Sequence, residues 1–256
     1  MYTASKIYKD VSKEEAQTII SHHFPGAKIV EYTPVGGGLF NTTYKVVTDK
    51  LSQALVLRVG PVNRELLLPY ERHLMDAEAH VNQLLTEAGI PTPKLVACDT
   101  TKTVIDRDYM ITEYMDSVAL CDGSVPEECR DALYEESGRI MRKFHEIKGE
   151  RFGRIGDFYD GKVYDSWPEF LLAHIAEIGQ LCIERDVFEH EFIGKVLDMY
   201  SRCVPLFEHI VEPRLTHADI WAGNILVKKF DDTWHVTAII DADRAVYGDI
   251  DFELGS

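Results

Sequence analysis

His217 stands two residues before an acid, Asp219, and Asn224 stands five residues after it, within the run Leu215-Thr-His-Ala-Asp-Ile-Trp-Ala-Gly-Asn224. A second acid, Asp241, closes the apolar pair Ile239-Ile240 seventeen residues past Asn224, and Asp243 follows it. Acid, amide and acid in this order suit phosphoryl transfer. One carboxylate receives a hydroxyl proton, while the amide and the second carboxylate hold magnesium. The plain alternative is a His/Asp-rich turn that caps a helix. The Asp-to-Asn spacing and the apolar strand before Asp241 weigh against it.

Three upstream features could serve the same chemistry. Val35-Gly-Gly-Gly-Leu-Phe-Asn41 lies between two strand-like segments. Glycines there would let backbone N–H groups approach phosphate oxygens without interference from a Cβ, with Gly37 and Gly38 as the candidates and Asn41 as a side chain reaching phosphate. No Gly-Lys-Ser/Thr follows, so this is not a Walker loop, and by itself such a turn is no more than a flexible hairpin. Arg58 ends the apolar run 54–58. Glu78 shares a helical face with Leu74, Val81 and Leu85; taken alone it reads as an ordinary solvated glutamate.

The elements that must position these residues are legible from period and punctuation. Ser12-Lys-Glu-Glu15 is a capping-box signature, which predicts a helix over 13–24 that stops at Pro25-Gly26. Strands are predicted over 27–32, 42–48, 54–59, 95–98 and 108–114. A helix is predicted over 72–88, with Gly89 as its C-cap. These make a five-stranded antiparallel sheet with one packed helix. Beyond a linker near 116–128 the text turns helical, over 128–148, 166–183 and 189–210, and two short strands follow at 224–228 and 235–240. Strands first and helices later imply an α+β chain of two lobes, divided at 1–115 and 116–256.

The segment His217-Ala-Asp219-Ile-Trp-Ala-Gly-Asn224 resembles the catalytic loop of the aminoglycoside phosphotransferase superfamily, protein-kinase-like small-molecule kinases that include choline and fructosamine kinases. Motifs fall in the family's order from about residue 35 to residue 253. The resemblance implies a two-lobed protein-kinase-like fold, with ATP or GTP as phosphate donor and Mg2+ as cofactor. It implies Asp219 as catalytic base, His217 as the brace of its loop, and Asn224 and Asp241 as metal ligands, with Asp243 reaching a second metal or its waters. Arg58 would replace the kinase lysine on the α- and β-phosphates, keeping the charge and adding a bidentate fork, and Glu78 would fix it. Thr112-Glu113-Tyr114-Met115 resembles the inter-lobe hinge. Backbone groups of Glu113 and Met115 would meet the purine edge, between apolar walls from Val46, Leu55, Ile111, Leu226 and Ile240. Tyr247-Gly248-Asp249 resembles the family's Gly-Asp-Pro segment, with Ile250 in place of proline, and implies Asp249 as a structural anchor. His145 matches a common family position and reads as a satisfied core histidine, while Trp221 is expected near Asp219 at the substrate entrance. The family continues with further helices where this sequence reaches Ser256, so the second lobe is expected to be truncated, with apolar surface uncovered.

Composition narrows the partners. The chain has 256 residues, 45% hydrophobic and 27% charged, with a formal charge of −16. That charge argues against nucleic acid and suits a cationic or sugar-like acceptor, although it serves plain solubility equally well. No apolar run approaches the roughly 20 residues of a membrane span. Five scattered cysteines, never in Cys-x-x-Cys spacing, and a start without an apolar leader imply a cytoplasmic protein. Four readings stay open: an antibiotic-resistance kinase for aminoglycosides, a metabolic kinase of fructosamine or choline type, an inert nucleotide-binding scaffold, and a protein kinase. The last is disfavoured because no Ala-Pro-Glu follows Asp241.

Overall fold

Alternating burial builds the first lobe. The structure, a computed structural model, describes residues 5–36 and 40–255. Helix α1 (Lys13–His23) opens on the expected capping box, in which Ser12 and Glu15 cap each other's backbone N–H groups. Strands β1 (Ile29–Pro34), β2 (Thr42–Thr48) and β3 (Leu55–Val59) precede helix α2 (Leu74–Glu87). Strands β4 (Leu95–Asp99) and β5 (Tyr109–Glu113) complete a sheet in the order β1-β2-β3-β5-β4, antiparallel throughout.

Along β3, Leu55, Leu57 and Val59 are buried, while Val56 and Arg58 point to the opposite face. The first set packs with Ile19 and Ile20 of α1. The second face receives α2, whose Met75 and Ala79 meet Met110 of β5. The sheet therefore carries a helix on each face, one more than the sequence pattern predicts. Two-residue alternation thus puts Arg58 on the α2 side.

The helical lobe begins with β6 (Val118–Ala119) and α3 (Glu127–Phe144). Next come β7 (Gly153–Arg154), α4 (Ile155–Phe158), α5 (Trp167–Glu184) and α6 (His190–Phe207). Strands β8 (Arg214–Thr216), β9 (Ile225–Phe230), β10 (Thr233–Ile239) and β11 (Val246–Gly248) follow, then a 3-10 helix over Ile250–Gly255. Asp231 and Asp232 both have positive φ, as a two-residue type I′ hairpin between β9 and β10 requires. One apolar core joins the lobes: Ala77, Val81 and Leu85 of α2 pack with Phe144 of α3 and with Leu215, Ile225 and Ile239. The α5–α6 hairpin leaves Phe188, Phe192, Met199 and Leu206 exposed. Among the described residues, no helix is long and apolar enough to cross a membrane.

A small sheet, β7-β11-β8, ties the end of the chain to the loop after β8. Gly248 in β11 is fixed by its neighbour. A Cβ there would lie 2.3 Å from the Trp167 ring, which is itself buried. Gly248→Ala should therefore cost about 2 kcal/mol by overpacking, read as a lower urea midpoint at unchanged m-value.

Candidate active site

The loop after β8 is aimed by one buried carboxylate. Glu253 accepts from the His217 N–H at 2.6 Å, from the Ala218 N–H at 2.9 Å and from His145 Nε2 at 3.3 Å. Burial pushes the Glu253 carboxyl up, but the hydrogen bonds from His145 and from the His217 backbone outweigh it and hold the group below its usual range. Ala218 sits at φ 61, a left-handed conformation disfavoured for a residue with a Cβ. The two N–H bonds to Glu253 flank that strained residue and hold it. His145 is half-buried and paired, as expected of it. The anchor role expected of Asp249 falls instead to Glu253. Asp249 makes a local turn, accepting from the Asp251 N–H at 3.1 Å and starting the 3-10 helix that delivers Glu253.

His217 is buried and ties this loop to Ile240, the residue before Asp241. Its Nε2 donates to the Ile240 carbonyl at 2.9 Å, and because a carbonyl only accepts, Nε2 carries the proton. Asn224 grips the same place from the other side: its carbonyl accepts from the Ile240 N–H at 3.0 Å, and its Nδ2 donates to the Asp219 carbonyl at 2.9 Å. Asp219, Asn224 and Asp241 are thus linked through Ile240. Asp241 then takes φ 66, turning the chain out of β10. Trp221 is exposed beside this loop and covers Gly223.

Opposite them, β3 and α2 supply a charge cluster. Arg58 Nη1 donates to Glu78 at 2.5 Å, and Nη2 donates to Asp241 at 2.5 Å and to Asp243 at 3.3 Å. The Asn41 amide, turned so that its oxygen faces Arg58, accepts from Nε and Nη2 at 2.8 Å each. Asn41 was expected on phosphate; here it steadies the guanidinium instead. Burial works against the Arg58 charge, but Glu78, Asp241 and Asp243 together more than restore it. Burial drives Glu78 up to about 7, with repulsion from Asp241 adding to it and Arg58 opposing. Asp243 is raised well above the carboxylate range, first by burial and then by Asp241.

This cluster fits a divalent cation. Oxygens of Glu78, Asp241 and Asp243 lie within 4.8 Å of one another. Three carboxyl groups face one guanidinium, burial disfavours the charge on Glu78 and Asp243, and all the donors are hard oxygens, as magnesium requires.

The raised Glu78 has a signed consequence. Folded protein keeps a proton that unfolded chain releases, so between roughly pH 4.3 and 7 rising pH favours unfolding through this group. Without metal or nucleotide, Glu78→Gln should melt above the wild type at pH 8. The two should converge at pH 5, as measured by thermal scans in chelator.

The hinge follows β5. The Tyr114 N–H donates to the Ala54 carbonyl at 2.9 Å, and the Glu113 N–H to Lys94 at 2.9 Å. The Met115 carbonyl accepts from Ser117, and among the described residues its N–H has no protein acceptor. The expected apolar walls need correction by parity. Val46, Leu55 and Ile111 are fully buried against α1, on the far face of the sheet. Their neighbours in register, Lys45, Val56 and Thr112, share the face of Arg58. Leu226 and Ile240 are partly exposed, at the end of β9 nearest β6 and beside Asn224 respectively. Gly37 and Gly38 lie outside the described residues.

A two-lobed fold, an Asp-to-Asn loop braced by a histidine, and an arginine–glutamate pair facing two aspartates fit a class: small-molecule kinases built like protein kinases. The chain belongs to the phosphotransferase enzyme family, which it matches over residues 31–256. A probable ketoamine kinase of Staphylococcus aureus (strain NCTC 8325 / PS 47) is 25% identical over 244 residues, covering 91% of this chain and 75% of the relative. Two solved structures share the fold. One is a thermostable mutant of aminoglycoside phosphotransferase APH(4)-Ia, in ternary complex with ADP and hygromycin B. It has TM-score 0.65 and 16% identity, covering 94% of this chain and 75% of that one. The other is a putative fructosamine-3-kinase from Haemophilus somnus 129PT, with TM-score 0.64 and 14% identity over 94% and 75%.

Proposed function

We propose that this kinase transfers the γ-phosphoryl group of ATP or GTP to a hydroxyl of a ketoamine, a sugar joined to an amine. The gathering of Arg58, Glu78, Asp241 and Asp243 opposite the Asp219–Asn224 loop carries this reading. The sequence relationship to a probable ketoamine kinase favours a ketoamine over an aminoglycoside as acceptor.

In this reading Asp219 takes the proton from the acceptor hydroxyl as its oxygen bonds to the γ-phosphorus. The bond from that phosphorus to the β–γ bridging oxygen breaks, and the diphosphate leaves. Arg58, preset by Glu78 and Asn41, turns its fork to the α- and β-phosphates. Asn224, Asp241 and Asp243 would hold Mg2+, which when bound offsets charge on the phosphate oxygens. Glu113 and Met115 offer the purine their backbone carbonyl and N–H. His217 keeps the base loop and Asp241 in one register.

A transfer assay with γ-labelled ATP tests this. Label should move to the ketoamine of glucose with glycine faster than to kanamycin or hygromycin B. Faster labelling of the antibiotics would reassign the acceptor, and no transfer to any acceptor despite nucleotide binding would make the protein an inert scaffold.

A further inference from the structure

Among the described residues, one arginine beside this site makes no ion pair. Arg154 ends β7, opposite Val246 of β11, and Val246 is in turn opposite Thr216, the residue before His217. All three side chains therefore share one face of the small sheet. With strands about 4.8 Å apart, Arg154 stands roughly 10 Å from the start of the base loop. Its guanidinium lies over the Tyr70 ring at 4.8 Å, with Phe170 at 6.0 Å. Its terminal nitrogens approach His174 Nδ1 and Nε2 at 2.8 and 2.9 Å.

Burial, then the Arg154 charge, push His174 down to about 4, so the imidazole is neutral and has a single acceptor nitrogen for a group with five N–H donors. Among the described residues, no carboxylate oxygen comes within ion-pair distance of Arg154. Glu177 is taken by Lys162 at 2.7 Å, and Asp157 supports the Arg154 charge only from beyond ion-pair distance. Arg244, directly after Asp243, is also without an ion pair there, and its charge opposes that of Arg154. Among the described residues neither guanidinium makes a direct ion pair, in a chain with 43 acidic residues against 27 lysines and arginines. Leaving a part-buried cation without a direct ion pair is costly, and an arginine fork matches carboxylate and phosphate oxygens.

We infer that Arg154, with Arg244 beside it and Tyr70 and His174 as walls, binds an anionic group of the acceptor, a carboxylate or phosphate remote from the reacting hydroxyl. The inference rests on the phosphotransferase reading and gives its acceptor a charge class. The overall charge of −16 favours a cation, whereas this local pair selects an acceptor that carries an anion as well, as the ketoamine of an amino acid does.

The test compares ketoamines of glucose made with glycine, with aminomethylphosphonate and with methylamine, which differ only in the anion. Wild type should prefer an anionic acceptor over the methylamine one at least tenfold in kcat/KM. The larger of the two anionic ratios names the group. Arg154→Gln should collapse that preference about tenfold or more, whatever the absolute rates, Arg244→Gln should reduce it, and Arg154→Lys should retain part of it. An unchanged ratio in Arg154→Gln, with or without a fall in Tm, would reduce the residue to a structural brace. If wild type phosphorylates none of the three, the ketoamine reading fails on its own. Calorimetry with succinate and inorganic phosphate then decides the anion site: weaker binding in Arg154→Gln supports it, and equal or absent binding overturns it.

Discussion

Asp219→Asn is expected to lower kcat by about 10²–10⁴-fold while nucleotide affinity stays within about twofold. The amide keeps the shape of the carboxylate and leaves the backbone carbonyl that Asn224 grips untouched, so the loop geometry persists. What is lost is the oxygen that accepts the hydroxyl proton. Initial rates at saturating ATP and acceptor, together with a calorimetric titration of Mg·ATP, measure both terms. A variant that kept full rate would remove Asp219 from the base role. A variant that lost nucleotide binding would place it on the donor side instead.

Glu253→Ala should be the most destabilising change at the site, by about 3–5 kcal/mol. It strands a buried N–H at His217 and a part-buried one at Ala218, and releases a strained residue from its restraint. Tm should fall by about 10 °C, with activity lost even at temperatures where the protein stays folded. The pH dependence has a definite sign. Because the folded Glu253 holds its charge more readily than the unfolded chain does, its contribution is present above roughly pH 4.3. That contribution fades as pH falls through the lower folded value. The Tm gap between wild type and Glu253→Gln should thus be wide at pH 7 and narrow on acidification. A gap that widened toward acid would mean that the carboxylate is held uncharged.

Much of this architecture is written in local signals. The capping box fixed α1, alternation fixed β2 and β3, and the 3–4 spacing fixed α2 and α3. Arg58 and Glu78 were paired through the family resemblance, since Glu78 alone reads as a solvated glutamate, and the structure joins them. Three things were not. Strands β7, β8 and β11 are two or three residues long, too short to carry a period, so the sheet that seats Arg154 left no trace. Val46, Leu55 and Ile111 were assigned to the cleft from hydrophobicity alone, yet a one-residue change of parity moves a side chain to the other face. Glu253 sits between Phe252 and Leu254 near the chain end, and only the turn begun by Asp249 brings it under the base loop. Buried acids that bind backbone N–H groups look, in sequence, like any surface acid.

A crystal structure of the protein with Mg2+ and a non-hydrolysable ATP analogue is the most direct test of the convergence on which everything else rests. Asn224 and Asp241 should each place an oxygen on the metal at about 2.0–2.1 Å, with Arg58 turned to the α- and β-phosphates. Nucleotide bound elsewhere, or metal held without Asp241 while Arg58 keeps its present carboxylate partners, would contradict the account.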